Sequence, residues 1–499
     1  MLDRLDHALR STPERPAVLG ATATGRLRVR ATRGELAGLA DAYTSSLYAR
    51  GLRPGDTVGV AVRPGPRALA VMLALWRLGV RGAVLDPGAG PDVLRARLAL
   101  ARPALVLADA TAQAVAGWAR PLAGRVRLAL PDLAALGPVV TVGRRLPGCA
   151  PALGAAGARV PAVDHGDGDA VIVFTSGTTS SPKAVVHSRS SLSAGMDNVS
   201  ALFRARPDEP VLGGTFFVLV PSLAQGAPVA LPARTPRALA RQLHRLRPRD
   251  TYLTPPQLRD ALRAGARFTG RVWTGSAPAS AGLLGRVRDA GAAEAWGVYA
   301  LTELFPAAAV ESRAKAAYDG EGDLVGAPLP GVGTRRDAGG ELLLTGPAAR
   351  HRYLGEEPDP WVRTGDRAHL DAQGRIVLEG RCKDMVLRRA ENIYPGLYEP
   401  LLQVRGVELA VLVGVPAGDG DERLVAVVQK AAGATEGQLR AALAGPLRRM
   451  GSARPDALLF ADVPLSGRSR KPDRAATARL ADARLTGARL TGARLGAHA

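Results

Sequence analysis

The sequence predicts an α/β fold: a large N-terminal domain with parallel-type sheets and a β-rich subdomain, followed by a small C-terminal α/β domain. Three observations predict it. At 499 residues the chain exceeds what one ordinary core supports, so two or more domains are expected. Between residues 33 and 110, helix-periodic segments alternate with short apolar runs, the pattern of strands joined by crossover helices. Past residue 381 the alternation restarts on a smaller scale, over a stretch long enough for its own core.

The elements follow in order. "RGELAGLADAYTSSLYARGL" is helix-periodic and closes at Gly51. "DTVGVAV" alternates as a strand, "PRALAVMLALWRLG" is helical, "RGAVLDP" is a short buried strand, and "RPALVLAD" (Arg102–Asp109) continues the series. Residues 112–168 are rich in Ala, Gly and Pro and are expected to be loops. From Asp169 come a strand, a hydroxyl-rich loop and the helix "SSLSAGMDNVSALF", with α/β alternation to about Val310. "GELLLTG", "WVRTGD" and "GRIVLEG", between 341 and 380, read as strands with turns and supply the β-rich part. "LLQVRGVELAVLVGVP", "RLVAVVQK" and "EGQLRAALAGPLRRM" build the small domain. The boundary falls at Arg381–Asp384, giving domains over 1–380 and 381–475 and a basic tail over 476–499. That tail repeats Ala-Arg-Leu-Thr-Gly too few times to stack a solenoid, and is expected to be disordered, as chain ends usually are.

Composition excludes several function classes. Cys149 and Cys382, the only cysteines, make neither a disulfide framework nor a zinc site. The longest apolar stretches, such as Ala68–Trp76, are too short to cross a bilayer, and the charged start "MLDRLDHALR" lacks a signal-peptide core, so a cytoplasmic location is expected. The net charge of +21 comes from arginines scattered along the chain, without a zinc-finger, RNP-type or basic-zipper pattern; no nucleic-acid partner is expected. Only five of the 66 basic residues are lysines: Lys183, Lys315, Lys383, Lys430 and Lys471. In a chain that otherwise uses arginine, a retained lysine marks a place for a compact point charge.

The densest hydroxyl cluster is "VIVFTSGTTSSPKAVVHS" (Val171–Ser188). A strand running into a Gly/Ser/Thr loop presents N–H groups and hydroxyls to an anion, and small side chains let phosphate oxygens approach. The spacing is not that of a Walker loop. The stretch resembles instead the phosphate-binding signature of the adenylate-forming superfamily, which includes acyl-CoA synthetases, adenylation domains of nonribosomal peptide synthetases and luciferases. Further signatures of that superfamily resemble, in order, "TGSAPAS" (Thr274–Ser280), "YALTE" (Tyr299–Glu303), "RTGD" (Arg363–Asp366), the hinge "GRCKDMVLRRAENIYPGLYEP" (Gly380–Pro400) and the lysine motif "PLSGRSRKPDR" (Pro464–Arg474). The resemblance spans about Leu2 to Arg474.

It implies an ATP-dependent ligase that joins an acid to AMP, releases pyrophosphate and passes the acyl group to a thiol (CoA or a carrier protein) or an amine. It implies that Thr175, Ser176, Gly177, Thr178, Thr179 and Lys183 cradle the β- and γ-phosphates. Glu303 would hold Mg²⁺ and Thr302 would contact the α-phosphate. Ser276, Ala277, Pro278 and Tyr299 would receive adenine, and Asp366 with Arg381 the ribose. Lys471 would reach in from the small domain, and Lys383 would be the hinge about which that mobile domain turns. Phe217, Trp273, Trp296 and Ala300 are expected to line the acyl pocket, where no aspartate is placed to hold an α-amino group.

The departures from the pattern are informative. Ser180 and Ala184 replace loop glycines, and Ala300 replaces the glycine of the Tyr-Gly motif. The lysine motif is one residue longer than usual, which leaves Arg470 as the alternative to Lys471. Arg389 and Ala390 stand where acyl-CoA synthetases have a glycine pair that lets the pantetheine thiol pass, so CoA as acceptor is in question. Two other readings stay open: activation of a non-carboxylate acid such as nitrite for N–N bond formation, and a catalytically silent nucleotide- or nucleic-acid-binding protein.

Overall fold

The computed structural model describes residues 1–22, 24–86, 91–116, 137–154, 160–161, 164–175, 183–388, 391–418, 421–467 and 470–495. Among these, two large sheets dominate. The first has seven strands in the order Arg352–Tyr353, Ala184–Ser188, Asp169–Phe174, Arg81–Val84, Thr57–Ala61, Leu105–Asp109 and Val139–Val142. Its last five strands pair in parallel. Thr57–Ala61 and Leu105–Asp109 are buried at every position, as parallel strands covered on both faces must be. The other end is antiparallel: Asp169–Phe174 and Ala184–Ser188 form a hairpin, and Arg352–Tyr353 lies along its outer edge.

The second sheet has a parallel centre of Pro16–Ala21, Val229–Ala230, Val211–Leu212, Asp250–Tyr252, Arg271–Thr274 and Glu294–Tyr299. It continues antiparallel through Ala308–Glu311, Asp323–Pro328, Ile376–Arg381, Val362–Leu370, Glu341–Thr345 and Gly333–Arg336. This continuation is the β-rich region read from residues 341–380. Helices between the sheets carry the core. Helix Arg33–Ala49 starts at a capping box of Thr32 and Glu35, and helix Pro66–Arg77 buries every residue from Leu69 to Trp76. A helix apolar all round has no solvent face and belongs inside a large core.

After Arg381 a separate core forms on the sheet Val407–Gly418, Asp421–Lys430 and Ala457–Phe460. Strand periodicity sorts its side chains by face. Ala410, Leu412, Leu424, Ala426 and Val428 meet Leu439 and Leu443 of helix Glu436–Arg449. Leu409, Val411, Val413, Val425 and Val427 face the opposite way, onto helix Arg474–Leu495 through Ala478, Ala481 and Leu485.

Two expectations are corrected here. The region 112–168 contains the edge strand Val139–Val142, a four-residue β-branched run too short to stand out between Gly- and Pro-rich neighbours. The tail 476–499 is helical to Leu495 where disorder was expected. Its Ala, Leu and Arg residues are strong helix formers, and Ala481 is fully buried against the small sheet, so packing holds its first turns.

Candidate active site

The hairpin Asp169–Phe174/Ala184–Ser188 sets the base of the hydroxyl loop. Its last rung is Phe174 opposite Ala184, and the Thr175 N–H donates to the Lys183 carbonyl at 3.0 Å. Thr175 and Lys183 are therefore held side by side at the mouth of the loop. Ser176, Gly177, Thr178 and Thr179 lie outside the described residues.

Thr302 and Glu303 sit on the turn after strand Glu294–Tyr299, beside that mouth. Two side chains hold this turn, one from the hairpin and one from the strand along its edge. His187, buried in strand Ala184–Ser188, shares a 2.8 Å hydrogen bond between Nε2 and the Thr302 carbonyl, and burial pushes its pKa down, favouring the neutral ring. Tyr353 donates its phenol O–H to Glu303 Oε1 at 3.1 Å. Burial, then the adjacent Glu303 charge, pushes the Tyr353 phenol up to about 12, so it remains a donor. The Lys183 ammonium stands 4.8 Å from the centre of the same ring. Lys183 and Glu303 are thus gathered around one tyrosine. Neither His187 nor Tyr353 is conspicuous in the sequence. The one available signal for His187 is its place in a strand buried at every position, where a polar residue needs partners.

Strands Val362–Leu370 and Ile376–Arg381 place Asp366 directly opposite Arg381. Arg381 Nε pairs with Asp366 Oδ1 at 2.6 Å, and Tyr299 donates its O–H to Oδ2 at 2.6 Å. Desolvation raises the Asp366 pKa, against the opposing pull of Arg381, the Tyr299 hydrogen bond and Lys471. Burial and the neighbouring Asp366 raise Tyr299 in turn. A carboxylate has about four lone-pair sites, so two acceptor positions remain for a vicinal diol such as ribose. Gly275 lies under the turn: a Cβ there would come 3.0 Å from the Val298 carbonyl. Ser276 follows with φ +68° and shares a 3.1 Å hydrogen bond with the Tyr252 hydroxyl. Ala277 is half-buried and Pro278 exposed.

Lys471 opens the strand Lys471–Pro472, paired with Leu465–Ser466. It is near enough to Asp366, Arg381 and Lys383 for their charges to act on it. Desolvation, then the Arg381 charge, lowers its pKa, while Asp366 opposes. The side chain keeps contact with solvent, so the desolvation is that of a cleft rather than a core. Arg470 is committed elsewhere: its guanidinium pairs with Asp260 of helix Pro255–Arg263 at 2.8 Å. Three residues after Lys471, Arg474 pairs with Asp384 at 2.9 Å and Glu399 at 2.7 Å. The lysine loop is thereby tied to the segment holding Lys383, which lies in a single 3₁₀ turn, Cys382–Asp384. Arg389 and Ala390 lie outside the described residues.

The acyl-pocket set divides. Phe217 is 37% exposed at the start of helix Phe216–Ala224, its ring 4.2 Å from Phe305. Trp296 is half-buried and Ala300 exposed. Trp273 does not belong with them. It is 2% exposed, stacked between Phe203 at 5.3 Å and Trp296 at 5.2 Å, with its N–H on Asp250 at 3.0 Å. It is a core residue packed against Trp296.

Comparison with known proteins agrees with this architecture. A family model for AMP-binding enzyme matches residues 5–354. The match ends just past Tyr353, before Asp366, Arg381 and Lys471. Feruloyl-CoA synthase of an Amycolatopsis species is 28% identical over 452 residues, covering 82% of this chain and 86% of its own. Olefin beta-lactone synthetase of Stenotrophomonas maltophilia is also 28% identical, covering 76% and 77%. Among solved structures, the amide bond synthetase McbA from Marinactinospora thermotolerans superposes with a TM-score of 0.76 at 24% identity, covering 96% and 99% of the two chains. The anthranilate CoA ligase AuaEII reaches 0.77 at 17% identity, covering 96% of each. At these identities the two structures speak for the fold. The nitrite-activating and nucleic-acid-binding readings are not favoured by these relatives, and no described helix is long and apolar enough to cross a membrane. The chain belongs to the AMP-binding enzymes, the adenylate-forming, ATP-dependent acid ligases.

Proposed function

We propose that this protein activates a carboxylic acid as its acyl-adenylate and transfers the acyl group to a thiol or an amine. The observation that carries the reading is the convergence of Lys471 with Asp366 and Arg381, while Arg470 is held by Asp260. A lysine delivered from the small lobe beside a ribose-type carboxylate is what joining two anions needs. One carboxylate oxygen attacks the α-phosphorus, the bond to the β-phosphate oxygen breaks, and pyrophosphate leaves. Both reactants are anionic, so catalysis consists chiefly of positioning and charge neutralisation. Lys471 supplies that charge between the carboxylate and the α-phosphate. Thr175, the loop 176–179 and Lys183 hold the β- and γ-phosphates; Thr302 meets the α-phosphate. Asp366 accepts from the ribose hydroxyls, with Arg381 and Tyr299 fixing both of its oxygens.

The residues fit a Mg²⁺ ion bound with ATP. Glu303 offers a hard carboxylate beside Lys183, and no group of three or more ligating side chains occurs among the described residues. Mg²⁺ is commonly held by one or two carboxylates together with substrate phosphates rather than by an all-protein cage. When bound, it would supply charge neutralisation to the phosphates. In the second half-reaction the acceptor attacks the acyl carbon and AMP departs with the oxygen the acid contributed. Lys383 is the hinge for moving the small lobe between the two steps. Relatives whose names specify CoA or amide products keep both acceptor classes in view. Arg389, at a position of close thiol approach, weighs toward an amine or a rerouted thiol.

The test is ATP-dependent pyrophosphate release over a panel of aromatic and aliphatic acids and nitrite, each with and without CoA or an amine. Release with a carboxylic acid supports adenylation, and the co-substrate that raises it identifies the acceptor. Release with nitrite alone, or with no acid at all, overturns the reading.

A further inference from the structure

The turn that carries Glu303 is held from one direction by Arg350 and Tyr353. The Arg350 N–H donates to the Glu303 carbonyl at 2.6 Å, and the Tyr353 hydroxyl donates to Glu303 Oε1 at 3.1 Å. Backbone and side chain of one glutamate are thus fixed by two residues three apart in sequence. Tyr353 is itself anchored. It pairs with Val185 and its neighbour Arg352 with Val186. Arg352 also binds Asp169, at the far end of the same hairpin, at 2.6 Å. The ring carries two cations, Lys183 Nζ at 4.8 Å and the Arg350 guanidinium at 4.5 Å from its centre. Arg350 is buried, and its Nε has no hydrogen-bond partner among the described residues, so the ring face is part of what that charge rests on.

We propose that Tyr353 is a positioning residue that sets the Glu303 carboxylate and the Lys183 ammonium in mutual register for a metal–triphosphate ligand. The proposal rests on the adenylation reading above. Its logic is that of an outer partner to a metal ligand. A donor on one carboxylate oxygen fixes the rotation of the group and aims the other oxygen. The ring adds a second function, since a cation above its face loses freedom to wander from the phosphate loop. One side chain thereby couples two ligand contacts that come from different sheets.

The two functions separate by substitution. Tyr353→Phe removes one oxygen and keeps the ring; Tyr353→Leu removes both. ATP binding is measured by calorimetry on the full chain, first in EDTA and then across a Mg²⁺ titration, with melting temperature as the folding control. For Tyr353→Phe we expect metal-free ATP affinity within about twofold of wild type, and a Mg²⁺ concentration for half-maximal enhancement raised about tenfold, the usual cost of losing an outer partner. For Tyr353→Leu we expect the same Mg²⁺ shift and, in addition, metal-free ATP affinity lowered about threefold, from the lost ring–cation contact. A Tyr353→Phe variant whose Mg²⁺ titration overlays wild type overturns the proposal, as does equal weakening of metal-free ATP by both variants. Wild type that binds no ATP overturns it together with the adenylation reading. Wild type that binds ATP beside an unshifted Tyr353→Phe overturns the proposal alone. Should Tyr353→Leu fail to fold, the single-atom Tyr353→Phe variant still decides.

Discussion

Lys471 and Arg470 are neighbours in a cation-rich loop, and only their partners distinguish them. Arg470 pairs with Asp260, 210 residues away in sequence, whereas Lys471 lies within reach of the Arg381, Asp366 and Lys383 charges. Lys471→Ala should therefore reduce adenylation by about a thousandfold, in the range seen on removing a preorganised transition-state donor, and leave ATP affinity within a few-fold. Arg470→Ala should keep most of the activity. An active Lys471→Ala enzyme measured by pyrophosphate exchange would transfer the role to Arg470. The lowered Lys471 pKa has a pH consequence. The ammonium carries its charge only below its pKa, and that value lies below the ordinary 10.5 in the free enzyme. Adenylation kcat/KM for ATP should accordingly fall on an alkaline limb centred below 10.5, and the residual activity of Lys471→Arg should lack that limb. A limb unchanged in Lys471→Arg would assign the titration to another group.

At the level of elements, strands and helices with clean periodicity were legible: the helix Pro66–Arg77, the strands around it, and the three strands near residues 341–380. What was not legible depended on distant partners. Val139–Val142 becomes a strand because Leu105–Asp109 offers it an edge, and the C-terminal helix is held by Ala481 on the small sheet. Asp366, proposed to meet the ribose, and the lysine motif stood out in the sequence only through resemblance to family signatures. Trp273 shows the limit of reading by position: it is buried in the interior, stacked on Phe203 with its indole N–H on Asp250. Tyr353 shows the opposite failure, a tyrosine without a local signal that strand pairing carries to Glu303. The segment 380–400, which resembles the family hinge, carries Arg389. If the Arg389 side chain obstructs the thiol path, Arg389→Gly should raise CoA-dependent product several-fold and leave pyrophosphate release unchanged. Equal CoA-dependent product from both enzymes would count against obstruction.

Across the whole molecule, the two lobes meet through charge. Glu408, 6% exposed on the small lobe, lies 3.5 Å from Arg259 and 3.2 Å from Arg286 on helices Pro255–Arg263 and Ala281–Asp289. Burial lowers the Arg259 pKa, with Glu408 opposing. Arg470 and Asp260 add a second, more exposed tie on the same helix. Removing one member of a buried pair strands the other's charge, typically at a cost of about 3–5 kcal/mol. Glu408→Ala should therefore loosen the lobe arrangement that presents Lys471, lowering the adenylation rate and increasing protease cleavage near Cys382–Asp384. A variant with wild-type cleavage and wild-type adenylation would remove Glu408 from that role. Isotope transfer tests whether an acid oxygen becomes bonded to the α-phosphorus, as proposed for the site that Lys471 and Asp366 share. A carboxylic acid that turns over is supplied with both oxygens as ¹⁸O, and AMP is analysed by mass spectrometry after transfer to the acceptor. Adenylation puts one ¹⁸O in AMP; unlabelled AMP, or label appearing in orthophosphate, would rule out attack of the acid on the α-phosphorus.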